Sequence, residues 1–199
     1  MNLVQVVGED ALCCALGERL VATVLPGWSL ARESVNARGV TKLIPRLPGY
    51  IQQARHVQPV ICIADTDKGC PVDLIAKWMT EEGNERFILR LAVNEAESWL
   101  LSDRESFASF FKVPVARLPR HPDDEPDPKQ TILNLAARSK SRDIRTEVVS
   151  SLDSSKQGSG YNFHLCRYVK AMWRVDEAIA RSPSLNRAVQ RIAILGDAT

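Results

Sequence analysis

The chain opens on a short apolar run, Leu3 to Val7, that stops at Gly8 and passes directly into Glu9 and Asp10. From Asp10 onward, Ala11, Leu12, Ala15, Leu16 and Leu20 return with the spacing of one helix face, which predicts strand, acidic turn and helix in that order. Between Val24 and Arg38 the pattern is weak, and only Trp28 and Leu30 suggest a second strand. Thr41 to Arg55 reads as partly helical, broken or kinked where Pro45 and Pro48 each remove a backbone donor. The strongest strand signal is Val60 to Ala64: five apolar residues, three of them β-branched, suit a strand buried on both faces of a parallel sheet. It ends at Asp65. Asp73 to Glu82 reads as a short helix, Phe87 to Val93 as another strand, and Glu95 to Leu101 as helical. This alternation predicts an α/β fold, a mostly parallel sheet flanked by crossover helices.

After about Val113 the character changes. Arg120 to Pro128 is a Pro- and Asp-rich linker, after which Asp127 can cap a helix with Pro128 in its first position, running through Ile132, Leu133 and Leu135. A polar stretch, Ser150 to Gly160, precedes a last helical pair, Tyr161 to Arg181 and Ser184 to about Leu195, with the turn and cap at Ser182-Pro183-Ser184. The expected organisation is an α/β domain over residues 1–113, with a linker and helical extension over 114–199 packed on it. There are no internal repeats and no coiled-coil heptads.

Composition narrows this picture only a little. With 199 residues and 45% hydrophobic content, the chain can bury one sizeable core, with or without a small appendage. A formal net charge of +2 gives no global field, so a nucleic-acid partner would need a local basic patch. No apolar run approaches the roughly 20 residues that span a bilayer, and the N-terminus lacks the basic region and cleavage site of a signal peptide. Cys13, Cys14, Cys62, Cys70 and Cys166 form no CxxC pair; they read as reduced thiols of a cytoplasmic protein.

The candidate chemistry lies at the strand ends. In a parallel α/β sheet, ligands bind in the crevice beyond the carboxyl ends of the strands. Glu9 and Asp65 each follow an apolar strand, and Glu95 and Glu97 follow a third. In extended geometry Asp65 and Asp67 would point the same way. Carboxylates held together repel unless a cation neutralises them, and magnesium, a hard ion taking carboxylates, waters and phosphate oxygens, fits best. Two such ions can clamp a phosphodiester for in-line attack by water. Plainer readings compete: an Asx turn for Asp65-Thr66-Asp67, and favourable first-turn charges for Glu9, Asp10, Glu95 and Glu97.

These stretches also carry a resemblance. Val7-Gly8-Glu9-Asp10 and Ala64-Asp65-Thr66-Asp67 with Cys70-Pro71 are similar to the Toprim domain shared by type IA topoisomerases, primases and OLD-type nucleases. Adding Val93 to Asp103, Asp127 to Gln130, Gly158 to Asn162 and Ser182 to Leu185, the chain more closely resembles small bacterial Toprim-like proteins of domain-of-unknown-function family 4276. The most specific piece is Glu95-x-Glu97-x-Trp99-Leu100-Leu101-x-Asp103. The chain departs from the Toprim pattern in having Thr66 between the aspartates and Asp10, not Gly, after Glu9.

The resemblance implies a Toprim-like fold and a nuclease acting on DNA or RNA with Mg2+ or Mn2+. Glu9 would be general acid/base or metal ligand, Asp65 and Asp67 would hold the metal, and Glu97, or as second choice Glu95, would complete the site. Such proteins are often encoded beside an AAA- or ABC-type ATPase, which implies that partner and a role in phage defence; the alternative is a catalytically weak interaction subunit that assembles with the ATPase. The oligomeric state is left open. Lys68 beside the aspartates and Lys129 are candidates for contacting nucleic acid, and Lys156, in the Gly/Ser-rich loop before Tyr161, for a transition-state cation. Arg138, Lys140, Arg142 and Arg145 read first as a solvated basic face, and Trp78, Trp99 and Trp173 as core. His56, His121 and His164 are unclustered and support no histidine base.

Overall fold

A computed structural model describes residues 2–79 and 83–197. The first apolar run is strand β1 (Asn2–Gly8) and the periodic stretch behind it is helix α1 (Ala11–Val24), capped by Asp10, whose carboxylate accepts from the Cys13 amide at 2.8 Å. Gly8 is dictated by this tight passage: a Cβ there would lie 2.4 Å from the Cys14 backbone nitrogen. Two short strands follow, β2 (Trp28–Leu30) and β3 (Val35–Asn36), the second without a sequence signal. Pro45 and Pro48 divide the next helical stretch into α2 (Val40–Leu43), a 3-10 turn (Ile44–Arg46) and α3 (Leu47–His56). Strand β4 (Val60–Asp65), helix α4 (Pro71–Trp78) and strand β5 (Phe87–Ala92) complete the sheet. The predicted helix Asp73 to Glu82 thus begins earlier, at a Pro in its first position; its residues 80–82 lie outside the described residues.

The five strands are all parallel, in the order β2-β1-β4-β5, with β3 paired to the far end of β1 on the β2 side. Alternation sends Val4, Val6, Ile61, Ile63 and Ile88 to one face and Val7, Val60, Cys62, Ala64 and Leu89 to the other. Helix α1 covers the first face; α2, α3 and α4 cover the second through Leu43, Leu47, Ile51 and Trp78. The chain therefore leaves β1 in one direction and returns on its other side at β4. That reversal opens the crevice at the carboxyl ends of β1 and β4.

Beyond β5 come α5 (Glu97–Ser102), α6 (Arg104–Phe111), α7 (Pro128–Ala136), α8 (Tyr161–Ala171), α9 (Val175–Ile179) and α10 (Pro183–Asp197). Their apolar side chains, including Trp99, Ile132, Leu165, Leu185 and Ile192, share one cluster with Val4 and Ile88 of the sheet and Leu16 of α1. The predicted helix Tyr161 to Arg181 is not continuous. It breaks after Ala171 because Trp173 turns inward, its indole N–H donating to Trp99 O at 3.1 Å, and the Arg174 amide donates to buried Asp103 at 2.9 Å. The linker is pinned as well: Asp123 accepts from Ser182 Oγ at 2.7 Å and from the Ser184 amide at 2.8 Å, tying it to the start of α10. All five cysteines are free thiols, with Cys13, Cys14 and Cys62 buried as small apolar groups. Among the described residues no helix is long and apolar enough to cross a membrane.

Candidate functional site

Glu9 leaves β1 into the crevice and is held there by backbone amides. Its Oε2 accepts from the Asp65 amide at 3.1 Å and its Oε1 from the Val40 amide at 3.1 Å, joining the end of β1 to the end of β4 and the start of α2. Burial raises the Glu9 pKa, opposed by the Asp65 amide and reinforced by the charge of Asp67. Asp65, the last residue of β4, accepts from the Ala96 amide at 2.8 Å through Oδ1, with the Cys13 thiol 3.9 Å from the same oxygen. Its carboxyl is pushed up to about 9, first by burial, then by Glu97 and Glu9. The Asp65 carboxyl thus lies within the field of carboxylates reaching it from two other strand ends.

Asp67 does not converge on Asp65 by strand alternation. Strand β4 ends at Asp65, and residues 66–69 form a turn closed by the Gly69 amide on Thr66 O at 2.8 Å. Asp67 and Lys68 there adopt φ of 46° and 68° and are exposed. Asp67 still acts on Glu9 through its charge. The two departures from the Toprim pattern have structural uses. Thr66 is buried and its hydroxyl accepts from the Asn94 amide at 2.7 Å, binding the turn after β4 to the turn after β5, while Asp10 caps α1.

The two glutamates after β5 divide their duties. Glu95 accepts from the Lys129 amide at 2.8 Å and faces Lys129 Nζ at 3.3 Å, so it anchors the first turn of α7, where a negative charge suits the helix end. Glu97 is the deeper group, 3% exposed, accepting from the Tyr161 hydroxyl at 2.9 Å with Lys129 Nζ 3.9 Å away. Burial raises the Glu97 pKa, partly offset by Lys129. Desolvation opposes the charge on Lys129, but Glu97, Glu95 and Asp65 outweigh it and raise its pKa. Lys129 is therefore bound to the carboxylates of the site itself. Tyr161 opens α8, and its hydroxyl reaches Glu97.

Lys156 lies on the rim of a cleft of about 440 Å³ lined also by Glu95, Asp127, Lys129 and Gln130. It is exposed, and its ammonium pairs with Asp153 at 3.6 Å. The loop that carries it is closed at its base by a Val149–Gln157 bridge and by the Gly158 amide on Val148 O at 2.9 Å. A Cβ on Gly158 would lie 2.4 Å from Glu147 O and 2.9 Å from Val149 O, both backbone atoms that have little room to yield. Gly158→Ala is expected to cost about 1–3 kcal/mol through overpacking, measured as a lowered denaturant midpoint; an unchanged midpoint would show that the loop base is not tightly set. Arg138, Lys140, Arg142 and Arg145 are exposed beyond the end of α7, the first two on the turn that follows it and the last two in the short helical stretch around Ile144–Val148, so they do not share one helix face. Sequence reasoning gave no sign of Asn94 or Cys13 at the site, since their contacts reach across the chain.

Burial, followed by the charges of Glu97 and Glu9, raises the Asp65 pKa, and carboxylate oxygens are the donor type that a hard cation such as magnesium takes. Among the described residues no group of three or more His, Cys, Asp or Glu side chains is already disposed as a ligand set. Glu9, Asp65 and Glu97 are instead held by amides and a tyrosine hydroxyl. No protein-family model, curated protein or solved structure matches the chain.

Proposed function

We propose that the chain is a metal-dependent nuclease of Toprim type, acting on DNA or RNA phosphodiesters from the crevice beyond β1, β4 and β5. The observation that carries this reading is the position of Asp65 at the end of β4, tied to Glu9 at the end of β1 and to the start of α5, with the charges of Glu97 and Glu9 both acting on it. Glu9, Asp65 and Glu97 would hold Mg2+ or Mn2+, with Asp67 and Glu95 at the margin. The ion would supply charge neutralisation and polarisation at the phosphate. The chain's own groups prepare that role: backbone amides fix Glu9 and Asp65, Tyr161 orients Glu97, and Lys129 balances part of the negative charge. Lys156 and Lys68 would meet the phosphate backbone at the rim. An AAA- or ABC-type ATPase partner and a role in phage defence belong to this reading through the resemblance, as does a cytoplasmic location.

The second reading is an interaction subunit of little catalytic power that assembles with such an ATPase. It draws on the engagement of the carboxylates by amides in place of a ready ligand set. The two separate on one assay. The purified chain, with magnesium or manganese, is offered single-stranded DNA, duplex DNA and RNA, alone and with an ATPase partner. Products that vanish with EDTA and with Asp65→Asn support the nuclease; cleavage untouched by Asp65→Asn rejects the site as drawn.

A further inference from the structure

A second charged cluster lies on the sheet face that α10 covers, away from the strand ends. Strand β5 is an outer strand, and Arg90 stands on it between Ile88 and Ala92, the two residues it shares with the α10 side of the sheet. Arg187 and Arg191 stand one turn apart on α10, beside the buried stripe of Leu185, Ala188, Ile192 and Leu195. The Arg90 Nε is buried and has no hydrogen-bond partner among the described residues. None of the three arginines forms an ion pair among the described residues. Burial, followed by the charges of Arg191 and Arg187, lowers the Arg90 pKa. Folding alone gives no reason to set Arg90 beside two further cations with a buried donor left unmet, because it loses solvation and gains no counter-charge among the described residues.

We infer that Arg90, Arg187 and Arg191 form a phosphate-binding site on the β5–α10 face. A guanidinium presents a planar fork of donors that matches phosphate oxygens, and the exposed Arg187 with the half-buried Arg90 and Arg191 would offer three such groups on one face. Two sources of phosphate fit this chemistry, a nucleic-acid backbone and a small phosphate ligand. The backbone is favoured by position: Arg90 lies on β5, whose exit leads to Glu95 five residues on, and even a fully extended path at roughly 3.3 Å per residue keeps the two within about 17 Å, which one bound strand can span. The site goes beyond the cleavage reading and does not depend on it.

The test measures binding in EDTA, where metal-dependent cleavage does not run. A fluorescein-labelled single-stranded oligonucleotide is titrated over a salt series with wild type, Arg187→Ala, Arg187→Ala/Arg191→Ala and Arg187→Lys/Arg191→Lys. The slope of log affinity against log salt is expected to shrink by about 1.4 in the double Ala variant, two cations at roughly 0.7 each, by about half that in the single variant, and little in the Lys pair. In a second arm inorganic phosphate raises the thermal midpoint of wild type and not of the double Ala variant. Loss in the oligonucleotide arm assigns the site to nucleic acid; loss in the phosphate arm alone assigns it to small phosphate ligands. Equal behaviour of wild type and variants in both arms, or no wild-type response in either, overturns the proposal. Arg187 is exposed, so its single variant serves even if the double one folds poorly. A chain that binds through these arginines and never cleaves would refute the nuclease and leave this site standing.

Discussion

Asp65→Asn is expected to lower metal-dependent cleavage by at least about 1,000-fold, about 4 kcal/mol of transition-state stabilisation at roughly 1.4 kcal/mol per tenfold. The same substitution is expected to make the metal-free protein more stable at pH 8. The Asp65 carboxyl is pushed up to about 9 by burial and by Glu97 and Glu9, against an ordinary value of 3.8. Between those two values the unfolded chain holds fewer protons at this position than the folded one, so stability falls as pH rises from about 4 to about 9. Asparagine removes that slope while its side-chain oxygen can still accept from the Ala96 amide. The gain at pH 8 in EDTA is on the order of 2 kcal/mol once solvent screening of this partly buried group is allowed for. Magnesium should raise the thermal midpoint of wild type most at pH 8 and leave the variant unmoved, because an ion that binds the folded state stabilises it by mass action. A wild-type midpoint insensitive to both pH and magnesium would remove Asp65 from the centre of the site.

Arg174→Ala is expected to cost about 3 kcal/mol in denaturant unfolding. Asp103 is 0% exposed and accepts from Arg174 at the backbone amide, at Nε and at Nη2, the last two at 3.1 and 2.7 Å. Truncating Arg174 leaves a buried carboxylate without its cation, and that uncompensated charge is the dominant cost. The figure sits at the low end for buried pairs because the Arg174 side chain is 43% exposed and screened by solvent. Asp103→Asn on the same background should recover a large part of the loss, since it removes the stranded charge and keeps one oxygen to accept from the Arg174 amide, giving up only the longer 3.4 Å bond from the Ser106 amide. If the double variant is no better than Arg174→Ala alone, the effect comes from lost packing and not from the charge.

These two pairs mark the boundary between what the amino-acid order carries by itself and what it does not. The strand Val60 to Ala64, the helix behind Asp10, the helix opened by Asp127 and Pro128, and the parallel α/β class all follow from patterns within a few residues: alternation, helical spacing, a cap three residues from its amide. The same local logic places Glu9, Asp65 and Glu97 at strand ends, because an apolar run must stop where a carboxylate begins. It fails at Asp67, where two successive left-handed residues replace the assumed extended backbone. It fails again after Ala171, where helical periodicity continues but the chain turns to meet Asp103, 71 residues away. Only tertiary structure decides that Glu9 grips an amide 56 residues distant, that Glu95 anchors α7 while Glu97 faces Tyr161, and that Arg90 meets Arg187 and Arg191. The physical reason is range. Backbone torsions and caps are settled by neighbours in sequence, whereas desolvation and charge act on whatever the crossovers bring together.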